Sequence, residues 1–275
     1  MAEDPQDLGT RTVAFYGAGA MGSALLVALV TGGHPASQVI AVDAHGPALE
    51  RVRQRYAVRT ASRAAEAAPD AAIHVVAVKP ADVAGVLAEI GEHLGEDDLV
   101  VSIAAGVPLA ALEDALPEGA AVVRVMPNTP ALVGEGMAVL APGSACSPAR
   151  SALAAAVLAP SGHVLTLPEK HLDAVTGLSG SGPAYVFYVA EALAEGGVLM
   201  GLPRDVAVTL AHQTLLGAAT MLAQGEDSAT VLRERVSSPG GTTMAGLAEL
   251  DDRAVRAAFV AAVRRAAERS AELGR

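Results

Sequence analysis

Along the first half of the chain, short unbroken apolar runs alternate with longer stretches whose apolar residues recur at helical spacing. The runs are TVAFY (Thr12–Tyr16), VIAVD (Val39–Asp43), IHVVAV (Ile73–Val78), LVVSIAA (Leu99–Ala105) and AVVRVM (Ala121–Met126). Helices are predicted between them, over about Ala20–Val30, over PALERVRQRY, from about Ala81, and briefly from Pro108. Unbroken apolar strands spaced by helices predict a parallel sheet covered on both faces. Two shorter strand candidates, Met137–Leu140 and His163–Leu167, flank a further Ala-rich helix. From about Lys170 the strand pattern stops, and long Ala/Leu-rich helices follow over Gly182–Met200, Pro203–Gln224 and about Asp252–Leu273.

This change divides the chain into an α/β domain, residues 1–168, and an all-helical domain, residues 169–275, with residues 1–10 expected to be flexible. The C-terminal helices are hydrophobic over most of their surface. That predicts burial against something besides their own domain, which an intertwined dimer would supply.

Composition narrows the function. Apolar residues make up 52% of the 275, and the net charge is −11. An acidic chain lacks the basic surface that nucleic acid or a polybasic membrane contact requires. A single cysteine, Cys146, precludes an intramolecular disulfide, and no cysteine cluster suggests a metal site. The polar start MAEDPQDLGTR contains no apolar signal segment, and the stretch Met21–Val30 is too short to span a bilayer, so the cytoplasm is the expected compartment.

Candidate chemistry begins at Gly17-Ala18-Gly19-Ala20-Met21-Gly22, a G-x-G-x-x-G between the first strand and the first helix. The first glycine permits a tight turn, the second a close approach to pyrophosphate, and the third close packing of helix on strand. Free N–H groups at the helix start then face the phosphates. Together these define a Rossmann-type dinucleotide grip. Asp43 ends the second strand at the spacing expected for a ribose-binding acid, which favours NADH over NADPH. Its other reading is a solvated turn residue, and the nearby Arg51, Arg53, Arg55 and Arg59 offer charges that could in principle reach a 2′-phosphate. Lys79-Pro80, Ala104-Ala105-Gly106 and Met126-Pro127-Asn128 close three later strands, at the edge where ligands bind in such sheets.

A second site is predicted in SSPGGTT, Ser237–Thr243. Its glycines let successive N–H groups curve around an anion, and a helix pattern begins directly after it. A helix cap needs one hydroxyl; this loop has four, and a small carboxylate is the natural guest. After Lys170 there is no further lysine, and the only histidines are His171 and His212. Reducing a ketone needs a proton donor, usually Lys or His. A protonated imine already carries its proton and needs only alignment and a hydrogen bond at nitrogen. The residues therefore favour reduction of a small imine carboxylate over a hydroxy-acid dehydrogenase or a non-catalytic dinucleotide sensor.

GAGAMG, AVKP (Ala77–Pro80), VVSIAAG (Val100–Gly106), MPNTPALVGEGM (Met126–Met137), GLSGSGPAYVF (Gly177–Phe187), GLPRDVA (Gly201–Ala207) and SSPGGTT together resemble the pyrroline-5-carboxylate reductase family over nearly the whole chain. The resemblance implies NAD(P)H-dependent reduction of Δ1-pyrroline-5-carboxylate to L-proline, a helical dimerisation domain, and dimers often assembled into larger rings. It implies that Ser238 and the backbone of Gly240, Gly241 and Thr242 hold the substrate carboxylate, and that Thr243 bonds the ring nitrogen. It places nicotinamide near Lys79-Pro80 and Ala104-Ala105, with Met126 and Asn128 lining the crevice, Ser181 close to substrate, and Glu226 as an acid before the cradle. Asp43 and Ala64 stand where many members serve a 2′-phosphate, which puts NADPH preference in doubt.

Overall fold

The computed structural model describes residues 8–274. Two compact units divide them: one ends at Gly180 and regains residues 266–274 at the end of the chain, and the other runs from Ser181 to Arg265. The expected flexibility of residues 1–10 lies outside the described residues for 1–7. Leu8, by contrast, is buried and belongs to the core.

The first unit is an eight-stranded sheet in the order β3-β2-β1-β4-β5-β6-β7-β8. Its strands are β1 Val13–Tyr16, β2 Val39–Val42, β3 Arg59–Ala61, β4 Ile73–Val76, β5 Leu99–Ser102, β6 Ala121–Met126, β7 Gly136–Pro142 and β8 Gly162–Thr166. All pairings from β3 to β6 are parallel; β7 runs antiparallel to β6 and parallel to β8. The helices of this unit are α1 Ala20–Thr31, α2 Gly46–Tyr56, α3 Ala64–Ala67, α4 Val83–Gly91, α5 Leu109–Asp114, α6 Pro148–Leu158 and α7 Leu172–Val175.

Alternation along the strands sends neighbouring side chains to opposite faces. Val13, Phe15, Ile73, Val75 and Val101 form one core with α1 and α6, while Tyr16, Val76, Val100 and Val122 form another with α4 and α5. Sequence reading missed β3, because Arg59 and Thr60 are exposed and the segment has no apolar run; it is an edge strand held by backbone pairing to β2.

Beyond α7 the chain makes a π-helical turn, Thr176–Gly180. The compact division thus falls at Gly180, some residues after the change in sequence pattern, because Leu172 is buried in the core below the sheet. The second unit contains α8 Gly182–Leu199, α9 Arg204–Gln224, α10 Ala229–Arg235, α11 Thr242–Asp252 and most of α12 Val255–Leu273. Helix α9 is 21 residues long with a mean hydropathy of 1.4, enough by length and composition to cross a membrane. Phe187, Tyr188, Leu210, Leu216 and Met221 stand exposed on α8 and α9.

Candidate active site

Each unit positions one group of candidate residues. In the first, the strand order reverses beside β1, which is where open α/β sheets bind ligands beyond their carboxyl ends. A cleft of about 730 Å³ opens there, bordered by Gly17, Gly19, Asp43, Arg63, Lys79 and Glu89.

The glycine loop fits a dinucleotide. Gly17 has φ +111°, and a Cβ there would stand 2.6 Å from the Ala77 carbonyl oxygen. A Cβ at Gly22 would stand 2.0 Å from the Gly17 oxygen, so helix α1 lies against the turn. Gly19 differs: a Cβ there meets nothing within 4 Å. Its backbone faces open space that a pyrophosphate can enter. Gly19 also starts α1 without a side-chain cap, which leaves the first-turn N–H groups of Ala20 and Met21 available to phosphate. The Met21 side chain itself packs on the core, so only its backbone is offered.

Asp43 is held rather than solvated. Its Oδ2 accepts from the Ala18 amide at 2.7 Å and its Oδ1 from the His45 amide at 2.8 Å. The carboxylate thereby ties the end of β2 to the glycine loop and fixes a negative charge in the cleft. The four arginines noted beyond it take other places. Arg51 and Arg55 share one face of α2 and border a separate hollow with Thr31 and Leu132. Arg53 pairs with Glu50 at 2.8 Å, and Arg59 pairs with Asp70.

The arginine in the cleft is Arg63, whose guanidinium stands 3.6 Å from Glu89. Glu89 in turn accepts from the Ala65 amide at 3.0 Å. Sequence reading passed over both. For Arg63 the available signal was its place in the loop after β3, the third strand–helix turn of the sheet, but that strand has no apolar run; Glu89 lies on α4.

Below the cleft, the Tyr16 hydroxyl and His74 Nδ1 share a buried hydrogen bond of 2.8 Å, with His74 Nε2 3.8 Å from Asp98. Burial, reinforced by the charge of Asp98, pushes the Tyr16 phenol well above its ordinary value, so it stays neutral beneath the nucleotide grip. Lys79 is exposed on the same cleft, and Pro80 begins the 3₁₀ turn that follows it.

Further along the sheet, Ala104 is buried and Ala105 exposed in the turn after β5, which Gly106 closes with φ +76°. Met126 ends β6 with its Cε 2.5 Å from where a Cβ on Gly180 would lie, so the side chain packs directly on the π-helical turn. Asn128 is 9% exposed and bonds backbone at both ends. Its Oδ1 accepts from the Met137 amide at 2.8 Å, and its Nδ2 donates to the Ser179 carbonyl at 3.0 Å. Met126 and Asn128 thus brace the π-helical turn, a device that recurs near functional sites.

In the second unit, the cradle has the local form expected. Gly240 takes φ +69°, and the Gly241 amide donates to the Ser238 carbonyl at 3.0 Å, closing a tight turn. Gly241 is the N-cap of α11 and brings no side-chain acceptor to it. The N–H groups of Thr242 and Thr243 therefore head an uncapped helix whose dipole favours an anion. A Cβ on Gly241 would stand 2.4 Å from Ser238 Oγ, so that hydroxyl lies over the helix start. The Ser237 hydroxyl turns away to the Arg233 carbonyl at 2.7 Å. Thr242 is exposed and Thr243 half-buried, while Glu226 stands exposed in the loop before α10. Ser181 precedes α8, with its carbonyl accepting from Ala184 at 3.1 Å.

Comparison with known proteins agrees with this geometry. Residues 169–273 match the family model described as pyrroline-5-carboxylate reductase dimerisation, and residues 12–106 match NADP oxidoreductase coenzyme F420-dependent. Pyrroline-5-carboxylate reductase of Methanosarcina acetivorans is 43% identical, over 96% of this chain and 98% of its own. A solved pyrroline-5-carboxylate reductase from Coxiella burnetii superposes with a TM-score of 0.93 at 32% identity, covering 97% of this chain and all of its own. The Plasmodium falciparum pyrroline carboxylate reductase, solved with NADP bound, gives a TM-score of 0.85 at 29% identity over 96% and 98% of the two chains. With relatives of that name about 40% identical over nearly the whole of its length, the chain belongs to the pyrroline-5-carboxylate reductase family.

Proposed function

We propose that the protein reduces Δ1-pyrroline-5-carboxylate to L-proline, taking its hydride from NAD(P)H, with NADH preferred. The observation that carries the reading is the start of α11, an uncapped helix N-terminus preceded by Ser-Pro-Gly-Gly and followed by two threonines. Such a start grips a carboxylate without a cationic side chain. The dinucleotide supplies the hydride. Ser238 and the backbone of Gly240, Gly241 and Thr242 hold the substrate carboxylate, and the Thr243 hydroxyl accepts the iminium N–H. Hydride adds to the carbon of the C=N bond, the π pair collapses onto nitrogen, and the resulting amine takes its second proton from water. No side-chain acid is consumed, in keeping with a chain that has no lysine after Lys170.

NADH preference is supported by the fixed Asp43 carboxylate, by the buried Ala64 at the loop after β3, and by Glu89, which offsets Arg63. Nicotinamide lies beside Ala104 and Ala105 and near the Lys79-Pro80 turn, with Met126 and Asn128 lining the crevice. Ser181 and Glu226 complete the substrate side. A second copy of the chain covers the apolar surface of α8 and α9, as the dimerisation match supports, and dimers assemble further into a ring in the cytoplasm.

The test is oxidation of NADH and NADPH by the purified protein with pyrroline-5-carboxylate, with proline identified as product. Thr243→Val removes one charge-assisted hydrogen bond of about 1.5–3 kcal/mol, so turnover drops about 10- to 100-fold. The NADH dissociation constant should stay within about twofold, since no cofactor contact is lost. Absence of proline overturns the reaction, and an equal loss of cofactor affinity overturns the role of Thr243.

A further inference from the structure

The last turns of α12 belong to the first unit, where they meet the turn that follows β5. Ser270 is 9% exposed, and its hydroxyl donates to Asp173 Oδ1 on α7 at 2.7 Å. The helix stays regular to its end, with the Gly274 amide donating to the Ser270 carbonyl at 3.2 Å. There it meets Gly106. A Cβ on Gly106 would stand 3.3 Å from the Leu273 carbonyl oxygen and 3.6 Å from the Leu273 Cβ. A Cβ on Gly274 would stand 3.4 Å from the Gly106 oxygen. Backbone thus lies against backbone, at a distance that two glycines permit.

Glycine has little preference between positive and negative φ, so Gly106 does not select the conformation of its own turn. One restraint is local, where the Ala104 amide donates to Ser102 Oγ at 3.4 Å, and a second is the end of α12, which is in contact with Gly106. That helix end is fixed in its turn by Ser270 to α7, whose Leu172 is 1% exposed in the core. The chain of contacts runs from the sheet core through Asp173 and Ser270 to Leu273 and Gly106, and so to Ala105 and Ala104.

We propose that Ser270, Leu273 and Gly274 are positioning residues for the nicotinamide half of the cofactor site, setting the Ala104–Gly106 turn from behind. This rests on the placement of nicotinamide beside Ala104 and Ala105 given above. The adenosine half, at Gly17 and Asp43, has separate supports in the Ala18 and His45 amides that bond Asp43 and does not depend on the end of α12.

Ser270→Ala, measured by fluorescence titration with NADH and by calorimetry with ADP-ribose, tests it. Losing one restraining hydrogen bond should raise the NADH dissociation constant about three- to tenfold. ADP-ribose, which has no nicotinamide, should bind within about twofold of wild type, and Ser270→Thr should restore NADH binding. A chain ending at Glu272, without Leu273, Gly274 and Arg275, should repeat the pattern. Equal weakening of both ligands would mean general destabilisation, and no weakening would mean no positioning role; either overturns the inference, as does failure of Ser270→Thr to rescue. Ala105→Val separates the two levels, since it crowds the nicotinamide position directly. If it leaves NADH binding intact, the nicotinamide placement fails. If it weakens NADH binding while Ser270→Ala does not, only the positioning role fails.

Discussion

Replacing Asp43 by asparagine probes the charge that sets the cofactor choice. The carboxylate accepts from the Ala18 and His45 amides at 2.7 and 2.8 Å. Asparagine keeps the shape and one acceptor but loses the charge, so the glycine loop loosens for both cofactors alike. That shared loss cancels in the ratio of the two specificities. What remains is differential. A 2′-hydroxyl donating to a neutral amide instead of a carboxylate forfeits about 1 kcal/mol for NADH. A 2′-phosphate carries roughly −1.5 to −2 charge, and at about 4–5 Å in water-like surroundings its repulsion from a carboxylate is about 1–2 kcal/mol. Relief of that repulsion favours NADPH. Together the terms amount to about 2–3 kcal/mol, a shift of roughly 30- to 160-fold in the NADH-to-NADPH ratio of kcat/KM. The assay is initial-rate kinetics with each cofactor at saturating pyrroline-5-carboxylate. Repeating it at high salt should shrink the NADPH component, because the repulsion is screened. An unchanged ratio in Asp43→Asn, or a wild-type enzyme that already prefers NADPH, would refute the reasoning.

Three further outcomes follow from the structure. Gly22→Ala places a methyl 2.0 Å from the Gly17 oxygen and should destabilise the fold by about 2–3 kcal/mol. Gly19→Ala meets open space and should leave the urea midpoint unchanged while weakening NADH binding; wild-type binding by Gly19→Ala would remove the pyrophosphate from this loop. Burial, opposed by hydrogen bonds to the backbone at Arg11 and Gln38, holds the His34 imidazole below its ordinary 6.5. The unfolded chain therefore binds the proton first. His34 contributes its full stability above pH 6.5, and that contribution is lost as the pH falls from there toward the folded value. Urea unfolding should show that His34→Gln flattens the pH dependence just below pH 6.5; a slope identical to wild type would contradict this.

The sequence by itself determined the architecture and the chemistry of the contacts. Unbroken apolar runs such as Val39–Val42 fix buried parallel strands, because only a strand covered on both faces tolerates apolar residues at every position. Gly17–Gly22 and SSPGGTT were legible for a similar reason, since the backbone conformations they need restrict which residues can stand there. Where backbone pairing or long-range contact decides, local pattern is silent. Arg59–Ala61 forms a strand only because β2 offers it a free edge. Arg63 borders the cleft, whereas Arg51 and Arg55 line a different hollow; the phase of α2 and the loop after β3 set that, not proximity along the chain. Asn128 reads as a polar loop residue until its partners Met137 and Ser179, the latter 51 residues away, show it to be a brace. Ser270 and Asp173 are separated by 97 residues, and no periodicity connects them. A sequence fixes what each residue can do through its own backbone freedom and side-chain chemistry. Which distant residue it does it with is a property of the packed chain, because that pairing exists only once the sheet and helices have closed around it.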